Sequence, residues 1–215
     1  GDKMNGSILL NQKSLVKTER DLPPHITFEQ FKIIYNGLAG NLHDQILCGL
    51  LWELGGRVND IMSLHWKDID LDAKIIKLFV DKIDDTITIT FEEGLKSDLK
   101  NYMAFIKPST DDFIFLSDSK TGHVSRTAAY EKVKRWGQKF LGMQFKPPGN
   151  LHPHMFRHGL AIYLLYNMNI PGNLESRLHM IAARLGHSNI NVTMKYYLVI
   201  TPGLQAWALK GVPMR

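Results

Sequence analysis

Three short stretches of this chain hold residue types that can do chemistry together. In His154-Met155-Phe156-Arg157-His158 a histidine and an arginine stand three apart at the start of a predicted helix. Residues i and i+3 leave one helix face, so His154 and Arg157 can reach a single anion together. Leu185-Gly186-His187 ends another predicted helix, and Tyr196 stands nine residues beyond that histidine. Gly55-Gly56-Arg57-Val58-Asn59-Asp60 opens a third helix with an arginine. Taken singly, each has a plain structural explanation. An arginine after Gly-Gly is ordinarily a surface cap, and a tyrosine in a short helix ordinarily packs.

Other constellations fall short of a site. Asp68, Asp70 and Asp72 imitate the opening of a calcium loop, but Ala73 stands where glycine is needed and Phe79 where glutamate is. They read as a solvated strand turn. His152, His154 and His158 lack the cysteine pair or HExxH motif that would complete a zinc site. Neither a GxGxxG nor a GxxxxGK[ST] loop is present, which argues against nucleotide binding. Cys48, the single cysteine, lies in an apolar helix and reads as an inert core residue. It excludes an internal disulfide framework and fits a reducing compartment. No metal and no cofactor is expected.

The elements that must position these residues follow from length and pattern. The 215 residues make one large domain or at most two small ones. A hydrophobic share of 44% and a charged share of 22% are those of a globular chain with its own core. Apolar runs such as Ile46 to Leu54 are far too short to span a membrane. Residues 1–24 read as an arm or linker with no signal-peptide core, closed by Pro23-Pro24. Thr27 starts a helix with a Thr27/Gln30 capping box. A buried helix runs from His43 to Leu54 and breaks at Gly55-Gly56, and a short one runs from Val58 to Leu64. Lys74 to Val80 and Thr86 to Phe91 are strand-like, joined by the polar loop Asp81 to Asp85. Then follow a helix over Glu92 to Ile106, a short strand over Phe113 to Leu116 and a basic helix over Ser125 to Leu141. Helices over His154 to Met168, Leu174 to Leu185, Asn191 to Val199 and Leu204 to Lys210 complete the chain. The expected fold is mainly α with a small antiparallel β-sheet.

The net charge of +5 permits a nucleic-acid partner without requiring one. Its distribution says more. Lys120, Arg126, Lys132, Lys134, Arg135 and Lys139 stand against the single acid Glu131, whereas Asp68 to Glu93 is acidic. Charge sorted in this way suits one face that meets phosphates.

Taken together the three stretches resemble the boxes of the tyrosine recombinase family, the lambda-integrase-like site-specific recombinases. Leu54-Gly55-Gly56-Arg57 with Asp60, Leu64, Trp66 and Asp68-Ile69-Asp70 is similar to that family's first-arginine box. His154-Met155-Phe156-Arg157-His158 is similar to its HxxR box, and Leu185-Gly186-His187-Ser188 with Thr193 and Tyr196 to its tyrosine box. The resemblance covers Thr27 to about Leu198 and implies the family's catalytic-domain fold. It implies strand cleavage and rejoining through a 3′-phosphotyrosine, with neither ATP nor metal. In such a site Arg57 and Arg157 offer planar forks to the non-bridging oxygens, which lysine cannot copy. Tyr196 is the nucleophile, and because free tyrosine ionises only near pH 10 the cationic pocket must help it. His154 takes or returns its proton, His187 donates to a non-bridging oxygen, and Asp60 orients Arg57. The family also places a lysine in its β-hairpin as acid for the 5′ oxygen. Lys82 fits best by loop position, with Lys74 and Lys77 as alternatives.

Two departures stand out. Asp81-Lys82-Ile83-Asp84-Asp85 is acidic where the family hairpin is Gly-rich and basic, and the stretch between Arg157 and His187 is longer, with Asn169 to Asn173 as the inserted loop. The expected organisation is an arm over 1–24, a catalytic domain over 25–200 and a C-terminal segment over 201–215. That last segment carries an apolar face of Leu204, Trp207, Ala208 and Leu209 that can dock on a neighbouring protomer. Residues 1–24 are too short for the family's core-binding domain, so an isolated catalytic domain is expected. The implied partner is double-stranded DNA, bound by a homotetramer on paired sites, with a monomer or weak oligomer without DNA. A prokaryotic cytoplasm is implied, with no membrane. The rival functions are type IB topoisomerase-like relaxation and a non-catalytic DNA-binding module on the same fold.

Overall fold

The computed structural model describes residues 22–118, 122–142, 150–167, 173–187, 189–208 and 213. The first helix, α1 (Phe28–Gly37), begins as its sequence demands. The Thr27 hydroxyl accepts from Gln30 N and the Gln30 side chain accepts from Thr27 N, a complete capping box. Helix α2 (Leu42–Glu53) carries fully buried Ile46, Leu47 and Leu50, and it packs against α1, α4 (Glu93–Ile106) and α6 (Pro153–Asn167). It is therefore the centre of the core. Cys48 on it is fully buried, as expected of an inert core thiol.

One acid enters this core deliberately. Asp44, 6% exposed, accepts hydrogen bonds from Lys132 Nζ at 2.8 Å and Trp136 Nε1 at 3.2 Å, both on α5 (Arg126–Phe140). Burial pushes its carboxyl up, but His43, Lys132 and Trp136 outweigh burial and hold it at about 2. This node pins the basic helix α5 to the end of α2.

After the short α3 (Val58–Met62), strands β1 (Ile69–Asp70), β2 (Ile75–Val80) and β3 (Asp85–Thr90) form an antiparallel sheet in the order β1-β2-β3. The hairpin register runs from Ile75 opposite Thr90 to Val80 opposite Asp85. Ile76, Leu78 and Val80 face the core while Lys77 and Phe79 face out, the period-two pattern of a half-buried sheet. The turn is a single 3-10 turn over Asp81–Ile83, closed by Asp84 in the left-handed region at φ 49, which Asp tolerates better than most residues. Two of the three calcium-like aspartates are spent on turns. Asp68 accepts from His65 N and Asp70 from Ala73 N, each at 2.8 Å.

The chain thus forms the expected mainly α fold with a small antiparallel sheet. Three expectations are corrected. Phe113 to Leu116 makes isolated bridges, Phe113 to His65 and Leu116 to His123, instead of a strand. The helix expected over Val58 to Leu64 stops at Met62. The two terminal helices expected over Asn191 to Val199 and Leu204 to Lys210 are one, α8 (Ile190–Ala208), preceded by α7 (Leu174–Arg184). Pro202-Gly203 does not end α8, because a proline costs an interior helix one backbone bond and a kink without forbidding it. The boundary expected at residue 200 therefore falls inside α8, and Leu209 and Lys210 lie outside the described residues, as do Asn169 to Gly172 of the inserted loop.

Candidate active site

The three sequence boxes meet at Gly55. Its φ of +56 is a left-handed conformation that favours glycine. A Cβ there would stand 2.6 Å from Leu185 Cδ2 and 2.7 Å from Leu160 Cδ2, so the close approach also requires glycine. The Gly55 carbonyl accepts a hydrogen bond from Arg157 Nη1. Arg57 follows as the N-cap of α3, half-buried. Arg157, on α6, is 6% exposed, and its Nη2 is buried with no hydrogen-bond partner. Burial, then the nearby charge of Arg57, lowers its guanidinium to about 10. Two cations thus lie within electrostatic reach of each other, one of them with an unsatisfied donor.

The buried acid beside them does not neutralise that pocket by direct bonding. Asp60, 5% exposed, accepts from Asp81 N at 3.4 Å through Oδ1, and its Oδ2 has no partner. Asp60 was expected to orient Arg57. Its one hydrogen bond instead ties α3 to the hairpin turn. Burial raises its carboxyl above the usual range, with the backbone of Asp81 and the charge of Arg57 opposing.

That turn carries Lys82. Arg57, Asp60, Asp81, Lys82, Arg126 and His154 line one cleft of about 270 Å³. Of the two alternative lysines, Lys74 pairs with Glu93 at 3.5 Å, and Lys77 borders a separate depression beside Asp68 and Asp70.

His187 is aimed by a helix end. Gly186, at φ +62, follows α7; its N–H bonds to Ala183 O at 3.1 Å and that of His187 to Ala182 O at 2.9 Å. These two bonds are the paired 5→2 and 6→1 closure of a Schellman cap, which is why glycine precedes the histidine. His187 Nδ1 then lies 2.9 Å from the hydroxyl of fully buried Thr193 on α8. Burial, then Arg157 and Arg57, lowers His187 to about 3, so it is neutral at physiological pH.

Tyr196, one turn past Thr193, is 9% exposed. Its hydroxyl lies 2.5 Å from Nδ1 of His158, not of His154. His154 lines the cleft instead, its ring centroid 6.2 Å from that of His158. Burial, then His152 and Arg157, lowers His154 too. The pocket was expected to ease ionisation of Tyr196. Here burial raises the phenol and Arg157 opposes it only in part. His158 has no catalytic task in the sequence pattern of the HxxR box. The signal was present: positions 154, 157 and 158 are i, i+3 and i+4, one helical face.

The cations expected to face phosphate divide. Arg126 lines the cleft and lies 5.3 Å from the Tyr130 ring centroid. Arg135 and Lys139 are exposed and Lys134 half-exposed, while Lys132 is committed to Asp44. Lys120 lies outside the described residues.

Residues 25–201 match the phage integrase family, and the chain belongs to it. It is 32% identical over 168 residues to a probable integrase/recombinase protein of Methanocaldococcus jannaschii, covering 77% of this chain and 48% of that one. It is 26% identical over 204 residues to tyrosine recombinase XerC of Staphylococcus aureus, covering 92% and 64%. The chain thus spans about half to two thirds of the length of these relatives. Among solved structures, XerA recombinase superposes with a TM-score of 0.73 at 20% identity, over 90% of this chain and 67% of that one. XerH recombinase bound to its difH substrate gives 0.69, also at 20% identity, over 87% and 54%.

Proposed function

We propose that this chain is the catalytic part of a site-specific DNA recombinase or integrase, cleaving and rejoining strands through a covalent 3′-phosphotyrosine. One observation carries the reading: the buried Arg157 guanidinium, with an unsatisfied N–H, lies within electrostatic reach of a second arginine, Arg57, and of the buried Tyr196. A phosphodiester would supply that guanidinium with a negative charge and acceptor oxygens.

Arg57 and Arg157 grip the non-bridging oxygens, and His187, held by Thr193, donates to one of them as charge develops. The Tyr196 oxygen attacks phosphorus and the 5′ oxygen leaves, taking its proton from Lys82. Asp60 holds the turn that carries Lys82. His154 lines the same cleft as Arg57 and Lys82. The bond energy kept in the phosphotyrosine drives rejoining when a 5′-hydroxyl attacks in turn. Arg126, Lys134, Arg135 and Lys139 meet the DNA backbone; the structural neighbour XerH recombinase is solved bound to its difH substrate. Exchange between two duplexes needs four protomers on paired sites, and the C-terminal segment docks between them. Among the described residues no helix is long and apolar enough to cross a membrane; the expected location is the cytoplasm of a prokaryote, on its nucleoid.

The test is covalent capture. A duplex selected by this protein from a random DNA pool, nicked so that the 5′-hydroxyl fragment diffuses away, should trap an adduct. Tyr196→Phe should abolish it with DNA affinity nearly unchanged, and Tyr197→Phe, whose side chain points about 100° away on the helix, should retain it. An adduct that survives in Tyr196→Phe, or maps to Tyr197, refutes the assignment.

A further inference from the structure

The imidazole on the Tyr196 hydroxyl is His158, at 2.5 Å, and His158 has no part in the chemistry read from the sequence. Its ring centroid is 5.9 Å from that of Tyr196, with the tyrosine buried and the histidine half-buried between α6 and α8. We infer that His158 is the catalytic base of the strand-cleavage step: its Nδ1 receives the Tyr196 proton as the tyrosyl oxygen bonds to phosphorus. This rests on the reading of Tyr196 as nucleophile.

The step balances without another reactant. The O–H bond of Tyr196 breaks and an N–H bond forms on His158; a P–O bond forms at Tyr196 and the P–O5′ bond breaks; the 5′ oxygen takes a proton from the hairpin lysine. Rejoining runs the same transfers backwards, returning the proton from His158 to Tyr196. Geometry favours His158 over His154, which sits one turn earlier and opens on the cleft. The surroundings favour it as well. Burial, then His154, Arg157, His152 and His25, lowers His158 to about 4, so the ring is neutral and Nδ1 is free to accept. Tyr196 packs on it, and His187 is near enough for the charges of the two rings to interact. The Arg157 charge opposes a proton on His158 until the phosphate adds its negative charge, so the proton moves with attack and not before.

The experiment uses two duplexes of one selected sequence, one with an ordinary scissile phosphate and one whose 5′-bridging oxygen is replaced by sulfur. A thiolate leaves without an acid, so the second duplex isolates activation of the nucleophile. His158→Gln, which keeps an acceptor but cannot hold a proton, should form adduct at least about a hundredfold more slowly on both duplexes. Lys82→Ala should be slow on the first and restored on the second. The His158→Gln rate should climb about tenfold per pH unit through neutrality while the parent's stays flat, since hydroxide must now do the work; a merely structural loss would not tilt the profile. If His158→Gln cleaves within about threefold of the parent, or the sulfur duplex rescues it, His158 is not the base. If the parent forms no Tyr196 adduct on either duplex, the nucleophile reading fails first.

Discussion

Replacing Lys132 with alanine separates the cations that build the fold from those that read phosphate. Lys132 lies mid-way along the basic helix and looks, in sequence, like its neighbours. In the structure its ammonium is 2.8 Å from Asp44, a carboxylate 6% exposed. Removing one partner of a fully buried pair costs about 3–5 kcal/mol. The Lys132 side chain is a quarter exposed and Asp44 keeps Trp136 and His43, so about 2 kcal/mol is the expected loss here. Arg135→Ala, on the exposed face, should change stability by no more than about 0.5 kcal/mol. The pH arm has a definite sign. The Asp44 carboxyl is held down at about 2, so its contribution is complete above the ordinary carboxylate range and is lost as pH falls toward 2. The stability gap between parent and Lys132→Ala should therefore narrow as pH falls from about 5 to about 2.5. Urea unfolding followed by circular dichroism reads both arms. DNA affinity against salt reads the converse: Arg135→Ala should lower the slope of log affinity on log salt by about one, and Lys132→Ala should leave it unchanged. A stable Lys132→Ala with a reduced slope would refute the division.

Two further substitutions test the scaffold of the site. Gly55→Ala combines a left-handed φ with contacts at 2.6 and 2.7 Å, so about 2–4 kcal/mol should be lost along with adduct formation; Gly186→Ala, whose Cβ meets nothing nearer than 3.4 Å, should cost only about 1–2 kcal/mol, and equal melting points for the two would contradict this account. Thr193→Val removes the hydroxyl that holds His187 and should slow cleavage about tenfold or more with KM for DNA unchanged, whereas an unchanged rate would show that His187 is held by other means.

What the sequence made legible was whatever local rules write into neighbouring residues. The Thr27/Gln30 box, the alternation of β2 and β3, and the glycines at 55 and 186 are short-range signals, and each appears where expected. Lys132 could not be sorted from Arg135 by such signals, because its partner Asp44 lies 88 positions away. Pro202-Gly203 failed in the other direction, a strong local stop signal that the long α8 runs through. Phe113 to Leu116 likewise has strand-like residues but only single bridges to pair with.

The site itself follows the same division. Resemblance of three short boxes to the family's motifs picked out Arg57, Arg157, His187 and Tyr196, because each box is local in the sequence. What they stand on is set by contacts between distant segments. The Gly55 carbonyl holds Arg157, and Leu160 and Leu185 close over the missing Gly55 side chain. One glycine is thus in contact with all three boxes. A methyl group there would push α6 and the α7 cap apart at the point where Arg157 and His187 are aimed, so the spacing of the boxes along the chain is tolerant while their meeting point is not.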